Sequence, residues 1–420
     1  MQRSTFITLL GLVAYLCLAL NTSLMAPFFP IKAYEKGLTR FEIGLVSAAY
    51  SIATLITSIF LTTFLRPRDM YFMYFSGPLI SAVCIICFGF LQYSPDGILF
   101  CVIGFTCMFL CGVGGATHFC ATLAVLCNVK KEWEQRMGSL LEAAFGMGMV
   151  LGPPLGSLAY RIGGYTLPFV SAGIFQIFVI ATIRCLMTMK PIKVDQKPAN
   201  VLFYLRYMTR PFILLIVISI LLSSSMFGVI DTIMSPYLNH HFAISEDNIG
   251  YIFLAFGTTY SIAGGFFGIL VDKGHGGRVF FACALCLPLS ILLLYFCSTI
   301  NELNHIIFFV VCLGLIGINV AGAFIPGYLL VEKFVMEYGI RDSDKAKLFT
   351  ALVITMIYGF GGIFGPVVVG GIAFGILGFE KTLLLQFLAL CFGFLCIIPM
   401  VFQKGILKTL QIDHCEKVVN

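Results

Sequence analysis

The sequence predicts an all-α membrane protein of twelve transmembrane helices arranged as two six-helix halves. Three observations predict it. Of the 420 residues, 59% are hydrophobic and only 11% charged, with a mean hydropathy of +0.99, and a soluble exterior needs far more charge than that. Twelve apolar runs, each near the roughly 20 residues that cross a bilayer core, follow one another with short polar breaks. Motifs in the first half of the chain return about half a chain later.

The runs cover about 5–28, 41–64, 71–92, 97–127, 134–160, 166–189, 211–238, 246–271, 277–298, 304–334, 343–375 and 380–402. Pro and Gly inside them are compatible with helix, because neighbouring helices re-satisfy the freed backbone groups. Alternating ten-residue segments of the kind that build a membrane barrel are absent from the sequence. Residues 5–28 show no small-residue cleavage site behind a short apolar core, so they read as a first span and not as a removed signal peptide.

Lys and Arg set the orientation. With a cytosolic amino terminus, the termini and the even-numbered connections hold Arg3, Arg66, Arg68, Lys130, Lys131, Arg136, Arg184, Lys190, Lys193, Lys197, Arg206, Arg210, Lys273, Arg278, Lys333, Arg341, Lys345, Lys347, Lys404, Lys408 and Lys417. The other side holds Lys32, Lys36, Arg40, Arg161 and Lys381. Twenty-one against five places both termini in the cytosol. The net charge of +6 is this bias, since no connection gathers a basic cluster with interleaved aromatics of the kind that binds nucleic acid. The extracytosolic connections contain no cysteine, so no disulfide framework is implied. No metal-ligand spacing, nucleophile elbow or phosphate loop occurs, and no connection is long enough for a catalytic domain. An enzyme, a bound metal and a cofactor are therefore not expected.

The longest polar interval, about 190–210, reads as a cytosolic linker between residues 1–195 and 196–420. Glu42-Ile43-Gly44-Leu45 opens the second run, and Asn248-Ile249-Gly250-Tyr251 stands near the start of the eighth. Gly148-Met149-Val150-Leu151-Gly152-Pro153 in the fifth run is echoed by Gly361-Gly362-Ile363-Phe364-Gly365-Pro366 in the eleventh. The offsets, 206 and 213 residues, agree. Gly148 and Gly152, like Gly361 and Gly365, lie four apart on one helix face and permit close approach in lipid. Pro153 and Pro366 remove a backbone donor and are expected to bend their helices at matched places, where the halves rock.

Of twenty acidic residues, all but Glu142 and Asp231 fall in connections or at helix ends. A carboxylate at membrane depth costs at least about 2–3 kcal/mol, which marks both as candidates for pairing with a cation or carrying a proton. At 1.5 Å per residue, Glu142 lies roughly 12 Å from the cytosolic start of its run and Asp231 roughly 10 Å from the opposite surface. One small monoamine does not span that separation; an elongated polycation, or a cargo met in turn, does. His118 in the fourth run falls near the depth of Glu142, and a shared proton between them is a testable expectation, because His titrates near neutral pH. Asn21, Tyr50, Tyr260, Asn319 and Tyr358 supply neutral polar atoms for a pathway lining, and the Phe residues offer cation–π faces.

Twelve spans in two halves with Gly-Pro motifs in the fifth and eleventh resemble the major facilitator superfamily. So does Gly268-Ile269-Leu270-Val271-Asp272-Lys273-Gly274-His275-Gly276-Gly277-Arg278, which is similar to that superfamily's loop motif and implies conformational roles for Asp272 and Arg278. Leu65-Arg66-Pro67-Arg68-Asp69 is a poor copy between the second and third spans. Met25-Ala26-Pro27-Phe28-Phe29-Pro30, Gly138-Ser139-Leu140 with Glu142 and Gly152-Pro153-Pro154, and Asp231 after Phe227-Gly228 are similar to the vesicular amine transporter family, nearest its polyamine branch. The resemblance implies alternating-access transport of a small organic cation, a polyamine or related amine, with proton exchange, by a monomer in a vesicular or other internal membrane. Two departures stand beside it. Monoamine members carry an Asp in the first span, whereas here that span has no acid, only Asn21, and the fourth reads Cys111-Gly112-Val113-Gly114-Gly115-Ala116-Thr117-His118 without the Arg of many proton antiporters. A facilitative carrier of neutral or anionic metabolites and a non-transporting receptor or scaffold on the same fold are the alternatives.

Overall fold

The computed structural model describes residues 2–64, 69–187, 211–298, 305–337 and 356–402. The expected linker at about 190–210 and the loop residues Arg66 and Arg68 lie outside the described residues. Among the described residues every regular element is helical. In chain order they are α1 (Gln2–Ser23), the short α2 (Phe29–Glu35), α3 (Arg40–Phe64), α4 (Met70–Gly89), α5 (Ile98–Val129), α6 (Glu134–Gly163) and α7 (Thr166–Leu186). Then come α8 (Pro211–Val229), a π-helical turn at Ile230–Met234, α9 (Ser235–Phe242), α10 (Glu246–Asp272), α11 (Gly276–Ser298) and α12 (His305–Glu337). A second π-helical segment, Phe364–Ala373, precedes α13 (Phe374–Phe402).

Ten described stretches are long and apolar enough to cross a bilayer. The last of them, Met356–Ile398, breaks at Gly378, whose φ of 77° only glycine adopts without strain. α6 is 30 residues long; its glycines and prolines dilute its hydropathy without shortening it. Dividing the last stretch and adding α6 recovers the twelve spans.

The sequence signals act locally as physics requires. Thr39 and Glu42 form a capping box at the start of α3: the Thr39 N–H donates to Glu42 Oε2 at 2.7 Å, and the Glu42 N–H to Thr39 Oγ1 at 3.3 Å. Asn248 Nδ2 donates to Ser245 Oγ at 2.8 Å at the matching place before α10. The two prolines of the repeat differ. α6 runs as one α-helix through Pro153 and Pro154, whereas Pro366 lies in the π-helical segment.

The chain divides into two compact units. One comprises 1–201, 230–254 and 366–371; the other comprises 202–229, 255–365 and 372–420. Each repeats one packing device. In the first unit α6 lies tight on α1: a Cβ on Gly148 would stand 2.3 Å from the Leu16 carbonyl oxygen, and one on Gly152 1.9 Å from Ser23 Oγ. In the second unit, a Cβ on Gly361 would stand 1.7 Å from Ser224 Oγ, and one on Gly365 2.4 Å from the Ser225 carbonyl oxygen, both on α8. A buried amide completes the parallel. Asn21 Nδ2 on α1 donates to Gln176 Oε1 on α7 at 2.5 Å, and Gln386 Nε2 on α13 donates to Ser225 Oγ on α8 at 2.9 Å.

The Asn21–Gln176 bond leaves Asn21 Oδ1 and Gln176 Nε2 buried without a hydrogen-bond partner among the described residues. Burying half-satisfied amides is costly, and removing one member strands the other. Gln176→Leu is therefore expected to lower stability by about 1–3 kcal/mol, while the double change Asn21→Leu with Gln176→Leu restores most of it. Melting curves of the detergent-solubilised variants check this, and additive losses would refute it.

Candidate functional site

Five aromatic rings meet in the second unit. Phe227 of α8 is their centre, with ring centroids 5.5 Å from Phe256 and 5.5 Å from Tyr260 of α10, 6.0 Å from Phe324 of α12 and 5.8 Å from Tyr358. The spacing of Phe256 and Tyr260 puts both on one face of α10. Phe227, Tyr260 and Tyr358 are each half-buried, so their ring surface is not wholly spent on packing. Edge-to-face arrays of this kind present negative π-faces, and a cation is attracted to them. Two of the residues expected from sequence to line a pathway, Tyr260 and Tyr358, thus come together. Phe256 and Phe324 were not singled out by sequence reasoning; the i, i+4 pair on α10 was the available signal.

Asp231 stands in the π-helical turn that follows α8, in the first unit. It is half-buried, and among the described residues none donates a hydrogen bond to its carboxylate or forms an ion pair with it. Its neighbours Ile230, Thr232, Ile233 and Met234 are buried. A wide turn re-aims side chains relative to a regular helix, and such turns are frequent at functional sites. Nothing in the sequence marked it.

The other expected residues are placed as follows. His118 is fully buried on α5, with Nδ1 2.9 Å from the Tyr74 carbonyl oxygen and its ring 4.9 Å from that of Tyr74. Its Nε2 has no hydrogen-bond partner among the described residues. Glu142 lies on α6, but its side chain is outside the described residues, as is that of Asp272; no contact between Glu142 and His118 is described. Asn21 is turned to Gln176, and Asn319 Nδ2 donates to Ser290 Oγ on α11 at 3.0 Å and to the Leu315 carbonyl at 2.9 Å. Both amides are thus engaged in helix packing. The Tyr50 ring lies against α5, where a Cβ on Gly115 would stand 2.3 Å from its hydroxyl. Arg278 is exposed near the start of α11. No cluster of metal-ligating side chains occurs among the described residues.

Comparison with known proteins decides the family: the Major Facilitator Superfamily model matches residues 11–335. The chain belongs to the Major Facilitator Superfamily. Among its relatives is the MFS-type transporter SLC18B1 of Rattus norvegicus, 26% identical over 366 residues, covering 87% of this chain and 79% of the relative. The synaptic vesicular amine transporter of Homo sapiens is 26% identical over 242 residues, covering 55% and 44%. Among solved structures, the nucleoside transporter NupG (D323A mutant) superposes with a TM-score of 0.73 at 12% identity, covering 94% of this chain and 99% of that one. A bacterial homolog of the human lysosomal transporter Spinster gives 0.70 at 14% identity, covering 94% and 97%. These structures share the fold. The chain is a multi-pass major facilitator transporter and not an enzyme.

Proposed function

We propose that this transporter carries a small organic cation, a polyamine or related amine, by alternating access in exchange for protons. The observation that carries the reading is the cluster of Phe227, Tyr260 and Tyr358 with Phe256 and Phe324, an aromatic surface of the kind that receives ammonium groups. Relatives named as a synaptic vesicular amine transporter and a chromaffin granule amine transporter support the cargo class. The absence of an acid from the first span favours an elongated amine over a monoamine. Such a cargo meets the aromatic surface and the carboxylates of Asp231 and Glu142 in turn. Each acid releases its proton to accept the amine and discards the amine on reprotonation. The halves 1–195 and 196–420 rock during the cycle, each held together internally by its own tight seam, Gly148–Gly152 on α1 and Gly361–Gly365 on α8. Both termini face the cytosol, and an acidified vesicle or other internal compartment supplies the protons.

Proteoliposomes with an acidic interior and radiolabelled spermidine test the proposal. The parent protein is expected to accumulate spermidine only while the pH gradient lasts. Phe227→Leu, which keeps bulk but removes the π-face, is expected to weaken apparent affinity about fivefold to thirtyfold, the equivalent of about 1–2 kcal/mol of cation–π attraction. Uptake indifferent to the gradient, or unchanged affinity in Phe227→Leu, would refute the assignment. His118→Gln is expected to leave the pH profile of uptake unchanged, because His118 is sealed against Tyr74 with no described acid beside it.

A further inference from the structure

Within the first unit, the repeated motifs meet crosswise. A Cβ on Gly44 would stand 2.2 Å from the Pro366 carbonyl oxygen, and a Cβ on Gly250 2.2 Å from that of Pro153. The glycine of each repeat therefore lies on the proline of the other, backbone on backbone. The second crossing has polar fastening. The Gly250 N–H donates to Ser157 Oγ at 3.1 Å. Tyr160 Oη donates a short hydrogen bond to Glu246 Oε2, and Arg161 Nε pairs with Asp247 Oδ2 at 3.2 Å. Pro153, Ser157 and Tyr160 follow one face of α6 while Gly250 and Glu246 follow one face of α10 in the reverse direction. The pairing thus runs antiparallel for two turns. At the first crossing, the nearby acid Glu42 is instead held by Thr39 in the capping box.

Tyr160 is held in place by the Met25–Pro30 segment: the buried Phe28 stacks on it with centroids 5.1 Å apart at 27°. The charges around Glu246 are already paired with each other. Lys32 bonds Glu35 at 2.9 Å on α2, and Arg161 is taken by Asp247. On α9, the exposed His240 packs edge-on to Tyr34 and the exposed His241 stacks on Tyr237. The Tyr160 hydroxyl is thus the group that answers the Glu246 carboxylate.

We propose that Tyr160 and Glu246 form a proton-operated latch that fastens the α6–α10 crossing while Glu246 is ionised and releases it when Glu246 is protonated. A hydroxyl bonds a carboxylate about twice as strongly as a neutral acid, so protonation weakens the fastening. What remains across the crossing is the neutral Gly250 N–H to Ser157 bond and the Arg161–Asp247 pair, whose Arg161 side chain is 62% exposed and which solvent screens. The inference rests on the alternating-access reading above but not on the identity of the cargo.

Hydrogen exchange of the full-length protein in nanodiscs, without cargo, tests it. Apart from Asn248, whose N–H bonds the Ser245 carbonyl at 2.9 Å, the first-turn amides of α10 have no i−4 acceptor within the helix, so their exchange reports whether the crossing covers them. After normalising for the intrinsic pH dependence of exchange, the parent is expected to lose about tenfold protection in this turn between neutral pH and about pH 5. Glu246→Gln and Tyr160→Phe, the second of which keeps the ring stacked on Phe28, are each expected to show the low protection at both pH values. Glu35→Gln is expected to keep the parent's step. Parent-like protection at neutral pH in both Glu246→Gln and Tyr160→Phe overturns the latch, as does a step abolished by Glu35→Gln alone. If Glu246→Gln does not give a monodisperse protein, Tyr160→Phe decides. A cargo other than an amine would leave every one of these exchange results as stated.

Discussion

Asp231→Asn is expected to abolish proton-driven spermidine uptake, lowering the initial rate at least about 100-fold while leaving the protein folded. The carboxylate has no hydrogen-bond donor or cation of its own among the described residues, so none of these offsets the cost of its charge. A cation brought by the cargo does. Losing one partner of such a pair in a low-dielectric setting costs about 3–5 kcal/mol, of which 2.7 kcal/mol already corresponds to about 100-fold. The amide keeps shape and hydrogen-bonding capacity but neither binds a proton nor holds a charge at working pH. Two measurements separate function from folding. Uptake should collapse, while the melting temperature in detergent should stay level or rise, because an uncompensated acid has been removed. Asp231→Glu, which restores the charge one methylene farther out, should recover part of the rate. Full uptake by Asp231→Asn would end the assignment of this acid to the cargo, and a fallen melting temperature would show instead a structural role in the π-helical turn.

How far the sequence foretells this arrangement differs from residue to residue, for physical reasons. Spans were legible because a bilayer demands about 20 apolar residues per crossing whatever the tertiary packing. The repeat was legible because the backbone approaches that it serves tolerate only glycine: Gly148 on Leu16 and Gly365 on Ser225 leave no room for a Cβ. The π-helical turn at Ile230–Met234 was not legible, since no residue type demands one. The neutral polar residues were least legible. Asn21 and Tyr358 look alike to hydropathy, yet the first is spent on Gln176 while the second joins the rings around Phe227. Which face of a helix a lone amide takes is decided by its neighbour across the interface, and that neighbour lies 155 residues away in the chain. The matched repeat also concealed a difference: Pro153 sits in regular α-helix and Pro366 in π-helix, because equal sequence does not ensure equal hydrogen bonding around a missing donor.

The second large effect concerns the glycine seams, and its size follows from what each glycine touches. At Gly148 a methyl group would meet the Leu16 carbonyl oxygen at 2.3 Å, the Ala19 Cβ at 2.8 Å and the Leu20 nitrogen at 3.0 Å. All are backbone or immovable, so α1 itself must retreat from α6. At Gly365 the obstacles are the Ser225 carbonyl oxygen at 2.4 Å and the Gly228 Cα at 3.0 Å, again main chain. At Gly152 the nearest atom is Ser23 Oγ at 1.9 Å, with the Ser23 Cβ at 3.0 Å, and trimming that hydroxyl removes most of the clash. Gly148→Ala and Gly365→Ala are therefore each expected to cost about 2–3 kcal/mol, at the upper end of overpacking, and the corresponding Val variants to give no folded protein. Gly152→Ala should cost a similar amount alone but recover in combination with Ser23→Ala, after allowance for the loss from Ser23→Ala by itself. No side-chain truncation on α1 should rescue Gly148→Ala. Melting temperatures and size-exclusion profiles of the purified variants supply the comparison. The contrast between the rescuable and the unrescuable glycine is the discriminating result. If Gly148→Ala melts with the parent, the helices there are not in backbone contact.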